Sequence, residues 1–211
     1  MHGPLSESRA RRYFTQIGDA VNFLHAQNIA HRDIKMQNVL RKKEYDLASN
    51  RFQMVCKLAD MGLATVIWTK DKGPVFLHTV AGTKFAFAPE ILENDVYKKK
   101  KTLYSAMPVD IWAEGVILYE MLCKCLPFNP AVSSRMLELQ KNRNFRFDRK
   151  RRAKPSEAGG RPPKPLPPLT EEVKHLIRMI FNPDPLARWT WREISRHPWI
   201  QRKSKEETRT G

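Results

Sequence analysis

The sequence predicts a mainly α domain with one small β-hairpin. Three observations point there. An apolar stripe at helical spacing runs through residues 6–27, and residues 111–122 are apolar nearly all round. Two short β-rich runs, residues 39–40 and 55–59, flank a polar stretch.

The first helix rests on Phe14, Ile17, Val21 and Leu24, which recur at steps of three and four residues and form one face. Ser6 or Ser8 caps its start. Val39 and Leu40 form one short strand and residues 55–59 the other, with residues 41–53 as a long polar connection. The segment 111–122 carries only Glu114 and Glu120 among apolar neighbours, which marks a buried central helix.

Residues 142–168 differ in character. Phe145 and Phe147 are the only aromatic residues there, a cationic run fills 149–152, and prolines dominate 161–168. Most of this stretch is expected to be exposed and poorly ordered, with a basic, proline-rich insert at about 148–168. Beyond it, Thr170 precedes Glu171 and Glu172, carboxylates suited to the positive end of a helix, and Val173, Leu176, Ile177 and Ile180 supply an apolar face. Thr190 and Glu193 form a capping box for a helix that ends before residues 197–200. A basic tail, residues 201–211, closes the chain.

Composition narrows the function. Hydrophobic residues make up 41% of the 211, enough for one substantial core, and 38 Lys and Arg face 22 Asp and Glu, a formal net charge of +16. Such a balance suits acidic partners: ATP, phosphoproteins, nucleic acid or an anionic membrane. It also fits a solvated basic surface with a basic insert. No finger spacing or aromatic-interleaved motif supports a dedicated nucleic-acid module. Cys56, Cys123 and Cys125 lack metal-site spacing, so reduced thiols and a cytoplasmic or nuclear setting are expected. The first thirty residues hold no uninterrupted apolar run, which argues against a signal peptide, and residues 111–122 are too short and too charged to span a bilayer.

The chemistry is concentrated in one series. His31, Arg32, Asp33, Lys35 and Asn38 read H-R-D-x-K-x-x-N; Asp60-Met61-Gly62 begins 22 residues after Asn38, and Ala88-Pro89-Glu90 follows. Asp110, Trp112 and Gly115 then spell D-x-W-x-x-G, and Arg188 lies within Asn182-Pro183-Asp184-Pro185-Leu186-Ala187-Arg188. In order and spacing this series resembles the signature set of eukaryotic Ser/Thr protein kinases. The resemblance covers residues 5–200 and corresponds to the large C-terminal lobe of that fold, with the hairpin at its active edge and the small lobe absent. Residues 109–122 and 126–128 look like the calcium/calmodulin-dependent and AMP-activated kinase group, and residues 136–141 are similar to the testis-specific serine kinases.

The resemblance implies roles residue by residue. Asp33 would orient the substrate hydroxyl or accept its proton, and Lys35 would sit against the transferring phosphate of ATP. Asn38 and Asp60 would hold Mg²⁺ through hard oxygen atoms. Leu40 would form the apolar floor under the adenine, and Met61 would fill the apolar slot of the usual phenylalanine. Arg32 resembles the residue of kinases switched by phosphorylation, with Thr79 as the phosphosite for an upstream activating kinase. Thr83 would help place the hydroxyl of a protein substrate. The same stretch departs from the family's G-T-P-x-Y, with Lys84 for proline and Ala86 for tyrosine. Glu90 and Arg188 resemble a buried ion pair, and Asp110 the residue that holds the catalytic loop from below. His31 reads as a packing residue, and Trp112, Trp189, Trp191 and Trp199 as core.

No G-x-G-x-x-G and no V-A-I-K-like strand occurs in the chain, parts that cover and anchor ATP. Two readings therefore stand beside each other: a Ser/Thr kinase seen here as a truncated chain, and a catalytically impaired lobe that acts as a scaffold or pseudokinase-like binding protein. A third has the proline-rich insert recruit SH3-like domains or acidic surfaces.

Overall fold

The computed structural model describes residues 3–47, 50–96, 102–128, 133–147 and 167–202. The expected insert therefore lies mostly outside the described residues, as do residues 203–211 of the expected tail.

The first helix, α1 (Glu7–Ala26), forms as its stripe requires. Ser6 accepts the backbone N–H of Arg9, and Phe14, Ile17 and Val21 are buried. Gly18 faces the Trp191 ring so closely that a Cβ there would fall 1.9 Å from it. Only glycine admits that contact. A short strand β1 (Ile29–Ala30) follows and pairs antiparallel with β4 (Thr65–Val66).

The hairpin is longer than the sequence indicates. Its strands are β2 (Val39–Asp46) and β3 (Arg51–Leu58), paired in register from Val39 opposite Leu58 to Asp46 opposite Arg51. Phe52, Met54, Cys56 and Leu58 alternate onto one face, so a period of two was present across residues expected to be loop. Charged partners on β2 masked it. Two further short strands, β5 (Trp68–Thr69) and β6 (Gly73–Pro74), form their own ribbon. The helices α2 (Pro89–Val96) and α4 (Ser133–Lys141), like β1 and β4–β6, carry no strong local signal and were not anticipated.

The long helix α3 (Ala106–Cys123) runs through the core, with Trp112, Leu118 and Leu122 fully buried. It starts five residues before the apolar run, with Pro108 in its first turn, where a missing N–H costs nothing. Trp112, Phe128 and Phe181 pack ring against ring at centroid distances of 4.9–5.6 Å. Phe145 joins them, 5.6 Å from Phe128 and 5.3 Å from Phe181. Phe145 and Phe147, the aromatic residues of the stretch 142–168, are half-buried against the core, while residues 142–144 and 146 are exposed. Aromatic contact, worth about 0.5–1.5 kcal/mol per pair beyond burial, overrides the polar composition around them.

The last helices are α5 (Glu171–Ile180), α6 (Trp191–Ser195) and α7 (Pro198–Gln201). The Thr190–Glu193 capping box is present. Thr170 instead turns to α1: its N–H and hydroxyl donate to Glu7 at 2.8 and 2.7 Å, and Trp199 Nε1 donates to the same carboxylate at 2.7 Å. Glu7 thus fastens the start of α1 to the two ends of the C-terminal helical group. No helix among the described residues is long and apolar enough to cross a membrane.

Candidate active site

The loop after β1 turns sharply, with Arg32 in the left-handed region at φ 67°. Asp110, fully buried on α3, holds that turn from beneath. Its Oδ2 accepts the N–H of His31 and its Oδ1 that of Arg32, both at 2.8 Å. His25 Nε2 completes the carboxylate's partners at 2.9 Å. Two backbone donors and a ring nitrogen on one carboxylate offset the strain of the turn. His25 was not foreseen; it lies in the last turn of α1, and no local pattern marks it.

His31 is fully buried, and both ring nitrogens are occupied. Nδ1 accepts the N–H of Asp33 at 3.2 Å, so Nε2 carries the proton and donates to the Ala59 carbonyl at 3.1 Å. It is a structural link between the loop and the end of β3.

Asp33 is the centre of the polar cluster. Lys35 Nζ donates to its Oδ2 at 2.6 Å, the Thr83 hydroxyl to its Oδ1 at 2.6 Å, and Asn38 Nδ2 to Oδ2 at 3.2 Å. Lys35 also donates to the Thr83 oxygen at 2.9 Å. Burial pushes the Asp33 carboxyl up, but the hydrogen bonds from Lys35, Thr83 and Asn38 and the Lys35 charge outweigh it and hold the group below the usual aspartate value. The fold thus brings together Asp33, Lys35, Asn38 and Thr83, residues up to 50 positions apart.

Asn38 also donates to the Asp33 carbonyl at 2.8 Å, and among the described residues no donor reaches its amide oxygen. The hairpin then brings Asp60 to the same end. Val39 pairs with Leu58, and Ala59 N–H donates to the Asn38 carbonyl at 2.9 Å, so Asn38 and Asp60 flank the hairpin's base. Asp60 is exposed at φ 68°, with Oδ1 accepting Gly62 N–H at 3.2 Å. Among the described residues no three His, Cys, Asp or Glu side chains cluster to form a metal cage. Two oxygen donors at an open edge fit a hard cation that keeps water and phosphate oxygens as its other ligands.

Two expected apolar residues are not enclosed. Leu40 is 58% exposed on the hairpin face that points away from the core, and Met61 is largely exposed rather than filling an interior slot.

The segment from residue 77 to 87 closes over the loop. Leu77 and Tyr104 exchange backbone hydrogen bonds at 2.8 Å, and the Tyr104 hydroxyl donates to the Thr79 carbonyl at 2.6 Å. Arg32 Nη2 donates to the Thr79 hydroxyl at 2.8 Å. Gly82 stands at φ 106°, where a Cβ would fall 2.5 Å from the Arg32 carbonyl oxygen. Lys84 is exposed, Ala86 is buried, and Gln140 Nε2, a partner the sequence did not reveal, donates to the Phe87 carbonyl at 2.9 Å.

Beneath this segment Arg188 grips Glu90 in a two-pronged pair at 2.7 and 2.9 Å. Its guanidinium also donates to the carbonyls of Pro108 and Asn182 and lies 5.0 Å from the Trp112 ring centre. Buried charge with four of the five guanidinium donors directed at oxygen atoms is the arrangement in which such a pair holds.

A family model described as the protein kinase domain matches residues 1–200. The chain is 31% identical over 204 residues to testis-specific serine/threonine-protein kinase 1 of Mus musculus, covering 96% of this chain and 47% of the relative. It is 32% identical over 199 residues to testis-specific serine/threonine-protein kinase 3 of Mus musculus, covering 94% and 60%. It is also 32% identical over 203 residues to CBL-interacting protein kinase 32 of Oryza sativa subsp. japonica, covering 95% and 38%. The chain spans about half the length of the curated relatives it matches.

Proposed function

Because the chain belongs to the protein kinase family, we propose that its Asp33 cluster serves the transfer of the ATP γ-phosphate to serine and threonine hydroxyls of a protein. In this reading the chain supplies the large lobe of that fold. The observation that carries the reading is the Thr83 hydroxyl, held 2.6 Å from Asp33 Oδ1 beside the Lys35 ammonium. It marks a position where a hydroxyl is both accepted and aligned.

A substrate hydroxyl bound to Asp33 attacks the γ-phosphorus as the bond to the β,γ-bridging oxygen breaks, and ADP leaves. The depressed Asp33 carboxyl is a weak base, so its main contribution is orientation, with the proton departing late. Lys35 offsets charge on the phosphoryl oxygens. Asn38 and Asp60 would hold Mg²⁺, which supplies charge neutralisation between the phosphates when bound. Leu40 would lie against the adenine from the exposed hairpin face. An upstream kinase acting on Thr79 would place a phosphate within reach of Arg32. The free thiols suit a cytoplasmic or nuclear protein.

The test is phosphate transfer to matched Ser, Thr and Tyr peptides by the natural polypeptide that carries this chain. Transfer to Ser and Thr is expected, slowed about 10²-fold or more in Asp33→Asn with nucleotide affinity retained. Absent transfer alongside retained partner capture would mark a scaffold instead.

A further inference from the structure

The β2–β3 hairpin reaches well beyond what the catalytic loop uses. Its register leaves Tyr45 and Phe52 opposite each other near the turn, roughly 20 Å from its base at the usual rise of a strand. Leu47 is 87% exposed, Phe52 62% and Tyr45 48%. These are large apolar side chains at the most distant end of the element.

The aromatic pair is already ordered. Tyr45 and Phe52 pack edge to face at 5.0 Å, Lys43 Nζ lies 4.6 Å over the Phe52 ring, and the Tyr45 hydroxyl donates to Asn50 Oδ1. Behind the tip the strands carry Arg41, Lys42, Lys43, Arg51 and Lys57, all exposed; Lys42 and Lys57 pair with Glu44 at 3.5 and 2.9 Å, and Asp46 stands opposite Arg51. Cross-strand pairing puts Arg41 and Lys43 on one face and Lys42, Arg51 and Lys57 on the other. The cations therefore surround the ribbon instead of lining one side of it.

We infer that the distal end of this hairpin anchors the protein to an anionic lipid surface, with Leu47 and Phe52 entering the boundary between headgroups and acyl chains and the surrounding cations meeting the phosphates. A peptide lying along the ribbon would use cations on one face only. Base stacking would need an open aromatic face, and Lys43 already covers Phe52. An apolar tip with a cationic collar matches a charged plane that the tip penetrates. The net charge of +16 adds long-range attraction to the same surface.

The test is co-sedimentation of the full chain with phosphatidylcholine vesicles, with and without about 30% phosphatidylserine, at about 0.1 M salt. Binding is expected only with phosphatidylserine, and about tenfold or more weaker for both Leu47→Asp/Phe52→Asp and Lys43→Glu/Arg51→Glu. Leu186→Asp alters a side chain that is 95% exposed elsewhere and should bind as the parent does. All these sites are exposed, and circular dichroism checks that each variant is folded. Equal loss in Leu186→Asp, unchanged binding in the tip variants, or no binding to phosphatidylserine vesicles would each overturn the assignment.

Discussion

Arg32 and Thr79 stand 47 residues apart in the chain, yet the guanidinium donates to the threonine hydroxyl at 2.8 Å. The bond joins the loop after β1 to the segment that closes over it. It sits on the surface, where a neutral hydroxyl is worth little and a phosphate would be worth much more.

Phosphorylation of Thr79 is therefore expected to stabilise the closed segment by about 1.5–3 kcal/mol through charge-assisted bonds to Arg32. Arg32→Ala should abolish that gain while leaving the unphosphorylated chain nearly unchanged. Thermal unfolding of phosphorylated and unphosphorylated protein, with and without the substitution, measures it.

Gly82→Ala should disturb the same junction from the backbone side. Its φ of 106° and the 2.5 Å approach to the Arg32 carbonyl leave no room for a methyl group. Faster amide exchange across residues 79–87, with exchange in α3 unchanged, is the expected result.

Arg188→Met should cost about 3–5 kcal/mol, because it leaves Glu90 buried without its partner. Glu90→Leu combined with Arg188→Met should cost clearly less than the sum of the two single changes. Urea unfolding of all four proteins closes the cycle, and additive losses would argue against a coupled pair.

Asp33 predicts an acid-side dependence. Its folded pKa lies below the unfolded value, so its bonds contribute stability that is present above about pH 4 and lost as pH falls through the folded value. Lys35→Met removes the bond and the charge that do most to lower it. The Asp33 titration, followed by carboxyl NMR, should then move upward.

Glu114 has the opposite sign. It is fully buried on α3, neither oxygen has a hydrogen-bond partner among the described residues, and burial, then the charges of Asp110 and Asp19, push its pKa well above the ordinary value. The folded state keeps a proton that the unfolded state releases, so this group's contribution declines as pH rises above the unfolded glutamate value near about 4.3. Glu114→Leu should raise stability at pH 7 by about 1–3 kcal/mol, and by less at pH 4. An equal gain at both values would show that ionisation plays no part.

Much of the architecture was legible locally. The stripe Phe14–Ile17–Val21, the Thr190–Glu193 box and the apolar run inside α3 each lie within a few turns of chain, where period and capping act. The polar candidates Asp33, Lys35, Asn38 and Asp60 were legible too, as an ordered series. The hairpin's length was not, because cations on β2 hid the alternation on β3.

By itself, then, the sequence determined the helices with strong periods and which polar residues make up the candidate site, since both depend on near neighbours. Tertiary structure alone decided what those residues touch. It set Asp110 and His25 beneath the loop, Thr83 on Asp33 and Arg188 on Glu90, drew Phe145 into the core, and left Leu40 and Phe52 in solvent. The bonds and ring contacts join positions tens of residues apart, and no local pattern specifies which of several equally polar or apolar partners the packed core brings within reach.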